Sequence, residues 1–154
     1  MRLGVLGLIV SVALLGGASF AQERPPLPVE TIQIDTTTGK KIFTVEVAAD
    51  VISQQRGLMY RRLLASNAGM LFEFHEEARV AFWMKNTPLP LDMLFIRGDG
   101  TVASVQANAT PYSVDTIPSG EPVRAVLEIN GGQADALGIK PGDKVRAAIF
   151  RDAE

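Results

Sequence analysis

Lys85, Asn86 and Thr87 stand in a row inside FWMKNTPLPLDMLFI, residues 82–96, between two strongly apolar runs. The chain's one tryptophan, Trp83, sits beside them, and Asp92 opens the second run. Pro88 and Pro90 stiffen the link and remove ladder donors, so a cation, an amide and a hydroxyl are left free of sheet pairing. An aromatic face with such groups beside a carboxylate is the chemistry that holds a small polar or sugar-like ligand. The spacing predicts a shallow binding site of Trp83, Lys85, Asn86 and Asp92, with Arg79 at its edge and Lys85 paired to Asp92. The same residues admit a plainer reading, in which Asn86 caps the turn and Trp83 is core.

Other chemistries are mostly closed by composition. There is no cysteine and a single histidine, His75 in FEFHEEAR. Thiol catalysis is excluded, no G-x-S-x-G elbow exists for a serine triad, and no phosphate loop is present. A zinc site needs three or four ligands, so no metal site and no cofactor are expected. Met59, Met70, Met84 and Met93 offer soft thioethers suited to Cu(I), but their apolar contexts read as core filling. Asp92 in PLDMLF and Glu128 in AVLEIN are embedded in apolar strand sequence. A buried carboxylate is costly unless paired or hydrogen-bonded, so each is a candidate for acid–base work. Each also fits the solvent face of an alternating strand.

The elements that must position these residues follow from periodicity. TIQIDTTTGKKIFTVEVA alternates about a Thr38-Gly39 turn, which predicts a β-hairpin. Asp50 is a good N-cap, and Val51, Gln54, Gln55, Leu58 and Met59 are helically spaced, so a helix is expected over about residues 51–60, closed by Arg61 and Arg62. MLFEF, RVAFWM and DMLFIR read as strands, with a second hairpin over residues 92–107 around Gly98-Asp99-Gly100. Residues 109–122 carry three prolines and no period, which predicts a surface loop. VRAVLEI is a strand, GGQADALG a short helix ended by Gly138, and KVRAAIF a final strand. The sum is a compact α+β domain, a mainly antiparallel curled sheet or partly open barrel of about seven strands with two short helices.

The chain has 154 residues, one domain by length. Arg2, the apolar run Leu3–Leu15 and Ser19-Phe20-Ala21 form a secretory signal over residues 1–21, with cleavage expected after Ala21. Without a lipid-attachment cysteine, no stable membrane anchor is expected after cleavage, and the protein is placed in the periplasm or outside the cell. Residues 22–30 are a proline-rich tether, and residues 31–151 a single domain. The formal charge is −2, and losing Arg2 takes it to −3. That balance argues against a nucleic-acid partner, which would need a basic face.

RGLMYRRLL, GMLFEF, FWMKNTPLPLDMLFI, VLEINGG and LGIKPGDKV occur in this order. Together they resemble the DUF192 (UPF0127) family over about residues 43–150. The resemblance implies a small β-rich fold, often exported in bacteria, with no settled biochemical activity. Many relatives carry two cysteines where this chain reads TPYSVDTIPSG, so any role resting on those thiols is absent here.

The leading expectation is non-catalytic binding of a small polar or carbohydrate-like ligand at the FWMKNT/PLD segment, through Arg79, Trp83, Lys85, Asn86 and Asp92, with Glu128 as a secondary candidate. An envelope enzyme of hydrolase type, using Asp92, Glu128 or both, is the first alternative. A structural or protein-interaction module of the envelope is the second.

Overall fold

The computed structural model describes residues 26–153. The expected signal segment and the first residues of the tether lie outside that range.

Strands β1 (Val29–Thr36) and β2 (Gly39–Ala48) form the expected hairpin, with Thr36 opposite Gly39. β1 starts at Val29, two residues inside the stretch read as tether. Helix α1 (Val51–Arg56) is started by a capping box: the Asp50 carboxylate accepts from the Ile52 and Ser53 amides, and the Ser53 hydroxyl accepts from the Asp50 amide.

The helix ends at residue 56, not 60. Gly57 turns the chain at φ 47°, ψ −137°, a region that is essentially glycine's alone. A β-carbon there would lie 3.1 Å from the Phe72 ring. Arg56 therefore takes the last helical turn, and Arg61 instead forms an ion pair with Glu46 on β2.

Strand β3 (Ala68–Ala78) pairs in parallel with β2 and antiparallel with β8 (Val123–Asn130). β5 (Leu91–Ile96) lies between β8 and β6 (Val102–Ala109). The expected RVAFWM strand shrinks to β4 (Ala81–Phe82), which pairs with β7 (Ile117–Pro118) from the segment expected to be all loop. α2 (Gln133–Leu137) ends at Gly138 as expected. The KVRAAIF strand splits into β9 (Lys144–Arg146) and a closing 3₁₀ turn from Ala148.

The main sheet runs β6-β5-β8-β3-β2-β1-β9, antiparallel except for β2–β3. It curls as a half-barrel. At one end the curl meets itself, because Thr101 bridges Lys144 and the Val145 amide donates to Gly100 O at 2.8 Å.

Each face of the sheet carries its own core. Ile32, Ile34, Phe43, Val45, Leu71, Leu94, Leu127 and Ile129 pack on one side with α2 and β9. Met70, Phe72, Met84, Leu91, Met93, Phe95 and Val126 pack on the other with Leu58, just beyond α1. The central strand β5 is buried on both faces, so every residue in LDMLFI is solvent-free. Among the described residues no helix is long and apolar enough to cross a membrane.

Candidate functional site

On β5 the alternation sends Asp92, Leu94 and Ile96 to one face and Leu91, Met93 and Phe95 to the other. Asp92 is 0% exposed. One carboxylate oxygen accepts from the Asn108 amide at 2.7 Å and the Gly132 amide at 2.9 Å, and the other accepts from the Ala134 amide at 2.7 Å. Three charge-assisted bonds resolve the cost of burying the charge. They also tie β6 and the start of α2 to β5. Gly132, at φ 82°, turns its amide toward this carboxylate without a side chain in the way.

Lys85 is on the other side. It is exposed, and its ammonium stands 5.2 Å from the Trp83 ring centroid as a cation–π pair. The expected Lys85–Asp92 pair is therefore not formed. Proximity in sequence suggested it, but one strand residue decides which face a side chain takes, and Asp92 falls on the inner one. Asn86 is a corner residue at φ 57°, whose carbonyl accepts from the Tyr60 amide at 2.8 Å. Its side-chain amide reaches only the Met59 sulfur, at 3.9 Å. Arg79 is exposed and donates to Gly120 O, which pins the segment around β7. His75 is exposed on β3.

Glu128, the secondary candidate, becomes the centre. Across β8 it faces Met70 on β3 and Met93 on β5, on the face opposite Asp92. The two carboxylates thus cannot act together on one substrate, which removes the paired-carboxylate form of hydrolase. Glu128 is 4% exposed and lines a cavity of about 630 Å³. The cavity lies between the α1–Gly57–Met59 segment, β3, β4 and β8. Its walls are Leu58, Met59, Phe72, Phe74, Val80 and Phe82, and its exposed lining residues Gln55, Arg56, Ala81 and Trp83 mark the mouth. Phe82 meets Phe72 edge-on at 5.0 Å and Phe95 at 6.2 Å, so this wall is anchored in the core.

Burial raises the Glu128 carboxyl from 4.5 to about 8. No hydrogen bond or charge among the described residues offsets that desolvation. At neutral pH it stands mainly as a carboxylic acid, a hydrogen-bond donor at the end of an apolar pocket. The other polar lining groups are partly spent. Gln54 gives its amide hydrogens to Ala48 O (3.2 Å) and Glu73 O (2.7 Å), and Thr87 gives its hydroxyl to Lys85 O (3.2 Å).

Of the five residues first expected to bind ligand, Trp83 alone lines the cavity. Sequence reasoning missed Gln54, Phe72, Phe74 and Phe82 as site residues. The available signal was Gln54 itself, an amide on the inward spacing of α1. Among the described residues no group of three or more histidine, cysteine or carboxylate side chains is placed to hold a metal.

A family model for DUF192, described as an uncharacterized ACR, matches residues 32–147. A crystal structure from Sinorhizobium meliloti, described as a proposed transcription regulator, is 45% identical with a TM-score of 0.80. That match covers 82% of this chain and 99% of the other. A protein of unknown function from Novosphingobium aromaticivorans is 42% identical with a TM-score of 0.77, covering 79% of this chain and 86% of the other. No curated protein matches the chain.

Proposed function

The chain belongs to the DUF192 family, and from that starting point we propose that it binds a small amphipathic molecule in the Glu128 cavity without transforming it. The observation that carries this reading is an unpartnered, buried carboxyl group facing an aromatic-walled cavity. Such a pocket, mostly apolar with one convergent polar group, is the usual form of a small-molecule site. The volume accepts a body of ring or short-chain size. Its walls favour an apolar body, and the Glu128 carboxylic acid favours one hydrogen-bond acceptor at the inner end.

A sugar fits less well. Its many hydroxyls would meet Phe72, Phe74, Phe82 and Leu58, and the donors of Gln54 and Thr87 are already committed. Each unpaired buried hydroxyl carries a penalty of about 1–3 kcal/mol. The polar, sugar-like ligand expected at the FWMKNT segment is thus narrowed to one with a single deep polar group. Nor does the regulator description of the Sinorhizobium meliloti relative bring DNA with it, since this chain has a formal charge of −2. The signal pattern of residues 1–21 supports an exported site of action.

Thermal shift and NMR titration with 1-octanol, octanamide, glucose and N-acetylglucosamine test the proposal. The two amphiphiles are expected to stabilise the fold and to move resonances of Phe72, Phe82 and Trp83. Glu128→Leu is expected to weaken octanamide more than octanol. Binding of the sugars alone, or amphiphile shifts elsewhere on the molecule, would refute it.

A further inference from the structure

The mouth of the cavity opens into a rim that the fold holds outward under strain. Tyr60, Asn86 and Tyr112 take φ of 65°, 57° and 62°, three of the four non-glycine residues with positive φ among the described residues. For a bulky tyrosine this backbone is an outlier, and such residues concentrate where structure serves a ligand. The three are joined at one corner: the Tyr60 amide donates to Asn86 O at 2.8 Å, and the Tyr112 amide to Thr87 O at 3.1 Å. The Met84 amide donates to Ser113 O at 2.9 Å, which fastens the Tyr112 loop beside Trp83.

The side chains so placed do not join either core. Tyr60 is 66% exposed, Tyr112 64%, Trp83 49% and Leu63 88%. Cations stand among them. Arg56 lines the mouth, Lys85 lies over Trp83, and Arg62 precedes Leu63. The neighbouring Arg61 is neutralised by Glu46. On the Tyr112 loop the acid is Asp115, exposed and held by Ser113. An acidic chain thus presents aromatic and basic side chains beside the mouth of the Glu128 cavity.

We infer that this rim docks on an anionic lipid bilayer and presents the cavity mouth to it, so that the occupant enters from the membrane. The inference rests on the cavity reading only for what passes through the mouth. Tryptophan and tyrosine settle at the headgroup level, where one end of the ring is apolar and the other wet. Arginine and lysine beside them meet anionic headgroups. A protein partner is the weaker match, because lysine is depleted from the core of a protein interface, and here Lys85 stands over the central aromatic, Trp83.

The chain has one tryptophan, so the fluorescence of the full chain reports the rim itself. The probes are vesicles of phosphatidylcholine with and without phosphatidylglycerol, plain and carrying bromine-labelled lipid. Trp83 emission is expected to shift blue and to be quenched by brominated lipid on the anionic vesicles. Lys85→Gln with Arg56→Gln is expected to lower partitioning about tenfold or more. Tyr60→Asn with Leu63→Ser and Tyr112→Asn, which keeps residues tolerant of left-handed backbone, is expected to abolish the shift.

Failure to bind vesicles overturns the inference. So does vesicle binding that leaves Trp83 unquenched, since the chain would then attach elsewhere. Capture of a polypeptide at the rim with vesicles inert also overturns it. Octanamide entering the cavity while vesicles leave Trp83 unchanged removes the docking surface and leaves the cavity reading standing.

Discussion

Replacing Glu128 by glutamine keeps the side chain's volume and a hydrogen-bond donor, and removes its charge. The folded carboxyl titrates at about 8 against an ordinary 4.5. The folded state therefore keeps a proton that the unfolded state gives up through this whole interval. Stability from this group is fully present below about pH 4.5, falls as pH rises, and is flat again above about pH 8. A displacement of roughly 3.5 units at about 1.4 kcal/mol each gives about 5 kcal/mol as an upper figure, and relaxation of the cavity lowers it to about 3–5 kcal/mol. Glu73 is raised too, by burial first and by Glu30 second. The wild-type slope alone is then not specific, and the difference between the two proteins is the quantity to measure. Urea unfolding of both from pH 4 to pH 9 should show equal stability at the acid end. At pH 9 the glutamine variant should be more stable by about 3–5 kcal/mol. Carboxyl NMR of the wild type should place the Glu128 midpoint well above the ordinary carboxylate range. A gap below about 1 kcal/mol at every pH, or a Glu128 midpoint near 4.5, would refute the reasoning.

Two further substitutions separate structure from site. Asp92→Asn puts an amide N–H where Ala134 N–H or the other two donors need an acceptor, so denaturant unfolding should show a loss of about 2–4 kcal/mol with octanamide affinity per folded molecule unchanged. Combined with Lys85→Met it should show additivity within about 0.5 kcal/mol, and a larger coupling would mean that the two side chains meet after all. Gly57→Ala forces a β-carbon toward Phe72 in a backbone region closed to alanine, so melting should reveal a loss of about 1–3 kcal/mol and a changed cavity wall. An unaltered melting point would show that the helix end relaxes without consequence.

The β1/β2 hairpin was legible because Ile32, Ile34, Val45 and Val47 alternate with polar residues around a glycine turn. The Asp50 cap and the Gly138 stop were legible for the same reason, since each is a local signal. The site was not. LDMLFI is buried on both faces, so its sequence is continuously apolar and does not say which way Asp92 points. Glu128 in VRAVLEIN raises the same ambiguity. The cavity is assembled from residues 54–59, 72, 74, 80–83, 87 and 128, which no local pattern connects. Helix spacing continued past residue 56 in the sequence, but Gly57 broke it by backbone geometry that the hydrophobic pattern does not carry. The Lys85–Asp92 pairing failed because nearness along the chain says nothing about the side of a sheet.

β9 pairs with β1 through Gln33↔Arg146, Ile34↔Val145 and Asp35↔Lys144, so among the described residues the last strand to be synthesised is a neighbour of the first. Until it arrives, β1 has one unpaired edge, and Ile34 lacks its cover from Val145. A chain emerging in order must therefore wait, with an open strand edge, until Lys144–Arg146 are out. During that wait the vulnerable species is a half-finished curl able to pair with a second copy of itself. The final seal by a three-residue strand sets how long the risk lasts.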